Sequence, residues 1–266
     1  MRILFSTLVL SIFLISCGKT FTYNPNEINI EEKDKNQNTK NLERLQSKAQ
    51  KDSFSFVVIG DTQRFYDEMD DFVEKVKSYP DISFVVLNGD ITDFGLKTEY
   101  LWISNRLQKL SFPYFVVIGN HDMLGNGREL YKQMYGPENF GFSFSNHKFI
   151  VLNSNSHEVG KNGTLPDTSW LKQELSVTPS QQKIFILSHM APFSSDFDES
   201  VQDSFVKILT KNGNVIYSIH AHDDNSYLGQ WYGPPVNYMV VNGIHERSFV
   251  LIKVSPNDTE IEKISF

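Results

Sequence analysis

The most informative stretch of this chain is Phe84-Val85-Val86-Leu87-Asn88-Gly89-Asp90, an apolar run that ends in asparagine, glycine and aspartate. Two other runs end in a similar way. Phe54 to Ile59 leads into Gly60-Asp61, and Tyr114 to Ile118 leads into the segment 119–122, Gly-Asn-His-Asp. Short apolar runs of this kind are typical of buried strands, and glycine lets the backbone turn sharply where a strand ends.

Helical patterns separate these runs. Tyr66 to Ser78 and Thr98 to Leu110 carry apolar residues at helical spacing, so the first half of the chain predicts successive β–α units and a mostly parallel sheet. The second half predicts a second, partly antiparallel sheet. Its strand-like runs are 142–144, 149–153, 183–187, 214–219, 238–241, 248–254 and 260–264, and its helical runs are 170–175 and 200–209.

Polar residues follow five of the predicted strands directly or within one or two positions. They are Asp61, Asp90, Asn120, His189 and His220. Ligands of open α/β sheets gather beyond the carboxyl ends of the strands, so these side chains are predicted to converge on one edge. Taken singly, each has a simpler interpretation, because an aspartate there is often a helix N-cap and a histidine is often a polar surface residue. Only the complete set argues for a metal centre.

The five segments in this order resemble the calcineurin-like metallophosphoesterase family. That family reads Asp-x-His, Gly-Asp, Gly-Asn-His-Asp/Glu, a lone His and Gly-His-x-His, and the similarity extends from about Phe54 to the C-terminus. The resemblance implies an α/β fold, a four-layer α/β/β/α sandwich of two mixed sheets flanked by helices. It also implies two divalent metal ions (Mn, Zn or Fe) and hydrolysis of a phosphomonoester or phosphodiester by a hydroxide that bridges them.

Site residues follow from the same resemblance. It implies that Asp90 bridges both ions, and that the metal ligands are Asp61, Gln63 and His222 for the first ion and Asn120, His189 and His220 for the second. His121 resembles the residue that protonates the leaving oxygen, and Asp93 resembles the carboxylate that orients this histidine.

The chain departs from the family pattern at two positions. Gln63 stands where the family usually has histidine, and an amide oxygen binds a metal more weakly, or holds a water instead. Ile219 replaces the glycine before His220. Two alternatives therefore remain: a non-catalytic surface binding lipoprotein that retains the fold, and metal-dependent hydrolysis of a non-phosphate ester.

Some residues outside the motifs also lie in segments predicted near the metal edge. Arg64 and Arg128 are candidates to contact a substrate phosphate, or simply solvated surface residues, and His245 is a candidate to approach the site. The segments 155–167 and 192–199 are predicted to be loops at the same edge.

Composition limits the class of protein. The chain has 266 residues, 40% of them hydrophobic and 13% aromatic, which is enough for a globular core. Its net charge of −7 argues against strong, sequence-independent nucleic-acid binding. A phosphorylated small molecule or phosphodiester remains compatible as substrate, because bound cations reverse the local field.

The N-terminus predicts membrane anchoring. An apolar stretch from Ile3 to Ile15 is followed by Ser16 and by Cys17, the only cysteine, and the Leu-Ile-Ser-Cys ending resembles the lipobox of bacterial lipoproteins. The resemblance implies a signal peptide at 1–16, a lipidated Cys17 that begins a flexible tether at 17–52, and a metallophosphoesterase domain at 53–266. It places the protein in the bacterial cell envelope, lipid-anchored and extracytoplasmic. The alternatives are an uncleaved anchor or an ordinary secretory signal.

Overall fold

The computed structural model describes residue 24 and residues 26–266. The strands are β1 Phe54–Ile59, β2 Ile82–Asn88, β3 Tyr114–Val117, β4 Phe140–Phe144, β5 His147–Leu152, β6 Lys183–Ser188, β7 Val215–His220, β8 Tyr227–Gly229, β9 Asn237–Val240, β10 Ser248–Val254 and β11 Thr259–Ser265. The helices are α1 Gln37–Gln46, α2 Tyr66–Val76, α3 Lys97–Leu107, α4 Gly127–Met134, α5 Thr168–Ser176 and α6 Glu199–Lys211. Short 3-10 turns occur at Glu32–Asp34, His121–Met123, His157–Val159 and Ile244–Glu246.

The strands form two mixed sheets. The first has the order β11-β10-β1-β2-β3, in which β1, β2 and β3 are parallel and β10 and β11 are antiparallel to their neighbours. The second has the order β4-β5-β6-β7-β9-β8, with a parallel centre and antiparallel edge strands. The carboxyl ends of the parallel strands in each sheet therefore lie at one edge, which we call the rim.

Alternating side chains along each strand build the layers. In β1, Phe56 and Val58 point into the core between the two sheets, whereas Val57 and Ile59 pack under the helices of the first sheet. The inter-sheet core is rich in phenylalanine, and Phe149 stacks on Phe185 at 5.1 Å between ring centroids. A third apolar cluster lies between the second sheet and α5 and α6. This arrangement confirms the predicted four-layer α/β/β/α sandwich.

Helix α1 is the largest difference from the sequence-based expectation. Residues 37–46 belong to the segment predicted as a flexible tether, but they form a helix packed against β3. Asn38 donates to the carbonyl of Val116 at 3.0 Å and accepts from its amide at 2.9 Å, and Asn41 accepts from the amide of Tyr114 at 3.2 Å. Because β3 is an edge strand, these asparagines satisfy backbone groups that no neighbouring strand pairs.

The residues before α1 continue toward the rim. Asn38 is bonded to Val116 and Asn41 to Tyr114, so the start of α1 lies nearer the carboxyl end of β3 than its finish does. Before the helix, Glu27 forms an ion pair with Lys97 at 2.9 Å, and the carbonyl of Asn26 accepts from Asn126 at 3.0 Å. Lys97 and Asn126 both belong to segments that follow the carboxyl ends of strands. The described N-terminal segment therefore begins at the rim.

The predicted signal peptide and Cys17 lie outside the described residues. Within residues 26–266, none of the helices combines the length and apolarity needed to cross a bilayer. Helices α1 and α4 and strand β8 were not predicted, and the other α-helices and strands lie within a few residues of their predicted bounds.

Candidate metal centre

Loops at the rim bring most of the predicted ligands together. Asp61 and Asp90 follow β1 and β2, Asn120 follows β3, and His189 and His222 follow β6 and β7. One set of ligand atoms, from Asp90, His189 and His222, lies within 4.8 Å of one another. Asp90 and His189 belong to the set predicted from strand ends, whereas His222 was expected from the family resemblance.

The backbone at the rim is held in conformations that side-chain-bearing residues rarely adopt. Asp61, Asp90 and His222 have positive φ angles of 49°, 54° and 70°. Such conformations cost free energy and persist only where the surroundings enforce them, and they cluster at functional sites. The amide of Thr62 donates to the carbonyl of Asp90 at 2.9 Å, which ties the first two loops together.

Two glycines allow the loops to approach this closely. Gly89 has φ 95°, and a Cβ placed on it would lie 2.4 Å from the His189 ring. A Cβ on Gly119 would lie 2.1 Å from the backbone nitrogen of Asp90. Any larger residue at either position would push the ligands apart.

Four electron-pair donors meet at one point of the rim. The Oδ1 atom of Asn120 lies 3.1 Å from Nε2 of His189 and 3.0 Å from Nδ1 of His222, and Asp90 Oδ2 lies 3.3 Å from the same His189 nitrogen. The other ring nitrogens already face acceptors, the Asn88 carbonyl at 2.8 Å and the Asp196 carboxylate at 3.1 Å. The converging nitrogens therefore need either protons or a cation between them and the oxygens.

The pKa values of the cluster reflect this need for positive charge. Burial lowers the pKa of His189, but the contacts with Asp90 and Asp61 outweigh it and raise this pKa to about 10. Burial raises the pKa of Asp61 to about 7, and the neighbouring Asp90 adds to the effect. Burial also acts to raise the pKa of Asp90, but His189 more than compensates and holds it below its usual range. The two buried carboxylates need positive charge beside them, and in this cluster the protonated His189 provides it. A bound metal ion could supply the same charge.

Gln63 provides the test of whether the first-ion residues fit a metal. Its Nε2 faces Asp90 Oδ2 at 3.5 Å, while its Oε1 is buried and has no hydrogen-bond partner among the described residues. Buried polar atoms almost always have partners, so an amide oxygen without one, on a side chain that faces the Asp90 carboxylate, is suited to a cation. The residues present therefore fit divalent metal binding.

His220 is not brought into this group, unlike the sequence-based expectation. Its ring is fully buried, with Nδ1 3.0 Å from the Ser188 hydroxyl and Nε2 2.9 Å from the Ser218 hydroxyl. Burial lowers its pKa to about 3, so the ring is neutral. The neighbours Ile219 and Ala221 point into the inter-sheet core, and because side chains alternate along a strand, His220 points to the opposite face.

This geometry also accounts for Ile219 in place of glycine, since its side chain fills the core and not the metal edge.

His121 and Asp93 lie together at the cleft, but their contact differs from the expected one. Nδ1 of His121 donates to the backbone carbonyl of Asp93 at 2.8 Å, while the Asp93 carboxylate lies 3.8 Å from the same nitrogen and pairs with Arg64. The carbonyl therefore orients the ring, and the carboxylate holds an arginine at the edge of the cleft. The amide of His121 donates to Asp90 at 3.0 Å, which couples this loop to the ligand cluster.

Asp122 and Asn88 were not singled out by sequence and hold the rim together. The buried Asp122 accepts from the amides of Ile91, Thr92 and Gly119 and from the Thr92 hydroxyl. Asn88 donates to the carbonyls of Ser188 and Ile219 across the two sheets, both at 3.1 Å. In the sequence, Asn88 begins the motif Asn-Gly-Asp and Asp122 ends the motif Asn-His-Asp. Only the other polar residues of these two motifs were identified as candidate site residues.

A cleft of about 320 Å³ opens over the cluster. Its lining includes the candidate residues Arg64 and His245 and two residues not singled out as candidates, Phe65 and Asp223. The His245 ring lies 5.3 Å from that of Phe65, so this histidine approaches the site. Arg128 instead pairs with Glu138, away from the cleft lining. A larger cavity of about 590 Å³ lies at the opposite edges of the sheets and contains no histidine.

A protein-family model settles the relationship that the motifs indicated. The model described as calcineurin-like phosphoesterase matches residues 54–226. The chain belongs to this calcineurin-like phosphoesterase family. This membership agrees with the resemblance that the five motifs carry.

Curated members with similar sequences are named as phosphodiesterases. A probable glycerophosphodiester phosphodiesterase from Arcobacter nitrofigilis is 29% identical over 123 residues, which cover 44% of each chain. A probable cyclic nucleotide phosphodiesterase from Vesicomyosocius okutanii is 27% identical over 155 residues, which cover 54% of this chain and 64% of that protein. The chain thus spans less than two thirds of the length of either relative.

A solved structure with low sequence identity shares the fold. A dimetal phosphatase from Danio rerio superposes with a TM-score of 0.65 at 16% identity, over 79% of this chain and 95% of that one. At this level of identity the similarity concerns the layered architecture, which agrees with the two sheets described above.

Proposed function

We propose that this calcineurin-like phosphoesterase hydrolyses a small phosphodiester with two divalent ions held at the rim, on a lipoprotein anchored through Cys17 in the bacterial cell envelope. The observation that supports the metal part is the convergence of Asp90, Asn120, His189 and His222. The names of the similar phosphodiesterases support the diester, and a cleft of about 320 Å³ suits a small molecule better than a phosphoprotein.

The geometry suggests a ligand set that differs from the family pattern. Asn120, His189 and His222 would hold one ion together with Asp90, and Asp61 and Gln63 would hold the other with the same aspartate. His222 thus moves to the group in which His220 was expected. When bound, the ions would neutralise phosphoryl charge and lower the pKa of a water at the site.

The chain's own residues would position and protonate the substrate. Nδ1 of His121 is engaged by the Asp93 carbonyl, so the proton for the leaving oxygen would come from Nε2. Arg64 and His245 line the cleft on the side of Phe65 and would contact the phosphate or its second ester group.

Metal analysis and turnover test this proposal together. The purified protein, reconstituted with Mn, Zn or Fe, should bind close to two ions per chain and hydrolyse aryl phosphodiesters faster than aryl monoesters. A preference for monoesters would overturn the diester assignment, and turnover of carboxyl esters alone would overturn phosphoester chemistry. Metal-free protein without turnover after each reconstitution would point to a binding function.

A further inference from the structure

The described N-terminal segment begins at the same edge of the molecule as the metal centre. Glu27 is paired with Lys97, the first residue of α3, and Asn126, just before α4, donates to the carbonyl of Asn26. These two residues follow Asp93 and His121 by four and five positions. Only seven residue-to-residue steps separate Asn24 from Cys17, which extend at most about 25 Å. A lipid on Cys17 would therefore keep the rim, and not the opposite edge, close to the bilayer.

Exposed apolar side chains occur on segments at or next to this part of the rim. We call Ile28, Phe94 and Trp102 the rim patch; their exposed fractions are 38%, 60% and 48%. Phe94 follows Asp93, and the Trp102 ring lies 5.3 Å from that of Tyr66, near the start of α2. Among the described residues, the large hydrophobics with comparable exposure elsewhere are Val177, Leu228 and Trp231.

Charge does not explain the patch. The basic residues around it are paired with acidic ones, Lys97 with Glu27 and Arg106 with Asp70. Attraction to anionic lipid headgroups would need unpaired positive charge. Tryptophan and phenylalanine at the surface instead favour the interfacial region of a bilayer through apolar contact.

We propose that the rim patch rests on the lipid surface, so that the lipid anchor and Phe94, Trp102 and Ile28 together hold the metal cleft toward the membrane. This inference rests on the acylation of Cys17 proposed above. It adds an orientation that the phosphodiesterase assignment by itself does not require. Because the contact is apolar, it should be insensitive to salt.

Single-cysteine labelling tests the orientation with the full chain. Acylation uses the only native thiol, so in protein made in a host that acylates lipoproteins, Phe94→Cys or Trp102→Cys is the sole site for an environment-sensitive maleimide dye. Val177→Cys, 69% exposed and located before β6 at the far edge, is the matched control. Melting temperatures of the three variants check that each folds as the wild type does.

In phosphatidylcholine vesicles, we expect dyes at positions 94 and 102 to shift to the blue and to be quenched by brominated lipid at least about threefold more than at 177. The difference should persist in neutral and anionic vesicles and in high salt. Equal quenching at all three positions would overturn the orientation, and a shift that depends on protein density in the vesicles would assign the patch to a second copy instead.

Two further readouts separate the possible failures. If the dye labels the wild-type chain, Cys17 is free. That result would overturn the lipid anchor and, with it, the proposed orientation. Turnover of a soluble aryl phosphodiester, measured on the same samples, reports on the phosphodiesterase assignment independently of either result.

Discussion

At the scale of single residues, the rim is a set of side chains whose roles depend on their second contact. His189 and His222 each use one ring nitrogen on an acceptor, which aims the other at Asn120. His220 uses both of its nitrogens on serine hydroxyls and is removed from the cluster. Three residue-scale predictions follow from these contacts and from those of His121 and Gln63.

Replacing His222 and His220 should have opposite consequences. We expect His222→Ala to lower bound metal to about one ion per chain or less, because it removes a nitrogen from the converging group. We expect His220→Ala to retain metal but to lower the free energy of unfolding by about 2–5 kcal/mol, through a cavity and two unpaired hydroxyls. Metal analysis and denaturant titration measure the two effects; equal metal loss in both variants would return His220 to the ligand set.

His121→Asn should separate chemistry from metal binding. The ring lines the cleft but is not among the converging ligands, so metal content should stay near that of the wild type. Turnover should fall by at least about 10²-fold, the usual contribution of a positioned acid. Wild-type turnover by this variant would remove His121 from the mechanism.

Gln63→His should strengthen the weaker ion site. The amide oxygen is buried without a partner, and an imidazole nitrogen is a better ligand for Zn or Fe than a neutral amide. Competition with a fluorescent chelator should give a lower dissociation constant for one ion and leave the other within error. An unchanged or higher constant for both would place Gln63 outside the metal contacts.

At the scale of secondary-structure elements, α1 completes the first sheet. Its asparagines pair with backbone groups of the edge strand β3, and its Leu45 is fully buried in the inter-sheet core. The helix therefore covers an edge that would otherwise present free hydrogen-bonding groups to another chain. It also carries the chain from the rim toward the start of β1.

Asn38→Ala should accordingly destabilise the domain. The change removes the acceptor of the Val116 amide, while the Val116 carbonyl still accepts from the Tyr131 hydroxyl at 2.6 Å, so the expected loss is about 1–3 kcal/mol for the one buried group left unpaired. Thr39→Ala, at an exposed position of the same helix, is the control and should change the free energy of unfolding by less than about 0.5 kcal/mol. Similar values for both variants would mean that α1 does not support β3.

At the scale of the whole molecule, metal binding and folding are linked through protons. In the metal-free protein, burial raises the pKa of Asp61 to about 7, and the contacts with Asp90 and Asp61 overcome burial to raise the pKa of His189 to about 10. The folded state thus holds protons on both groups that the unfolded chain releases earlier. For Asp61, the contribution to stability is present below about pH 4 and is lost as the pH rises through about 7.

Bound metal should reverse this loss of stability with rising pH, because a cation favours the ionised carboxylate and the neutral imidazole. We expect the rise in melting temperature on adding Mn or Zn to be larger at pH 8 than at pH 6, and chelator to abolish it. At 100 times the dissociation constant, one ion should stabilise the fold by about 2.7 kcal/mol. Equal increments at both pH values would mean that ions bind without displacing these protons.

The sequence by itself determined the strand positions, the residue types at the strand ends and, through their order, the family and its layered fold. Those features are local, because apolar runs, glycines and polar residues at strand ends can be read along the chain. The tertiary structure decided which face each side chain occupies. Strand β7 holds one extra residue opposite β6 between Val215 and Tyr217, and this irregularity, together with the core positions of Ile219 and Ala221, points His220 away from the metal edge.

Only tertiary contacts could likewise assign α1 to the domain and the start of the described chain to the rim. Its buried residues include Asn38 and Asn41, whose polarity is typical of a linker until the backbone of β3 is there to bind them. The same holds for His121, because a backbone carbonyl, which the sequence does not distinguish at any position, orients its ring in place of the Asp93 carboxylate. Partners distant in sequence decide these features, and no local pattern encodes them.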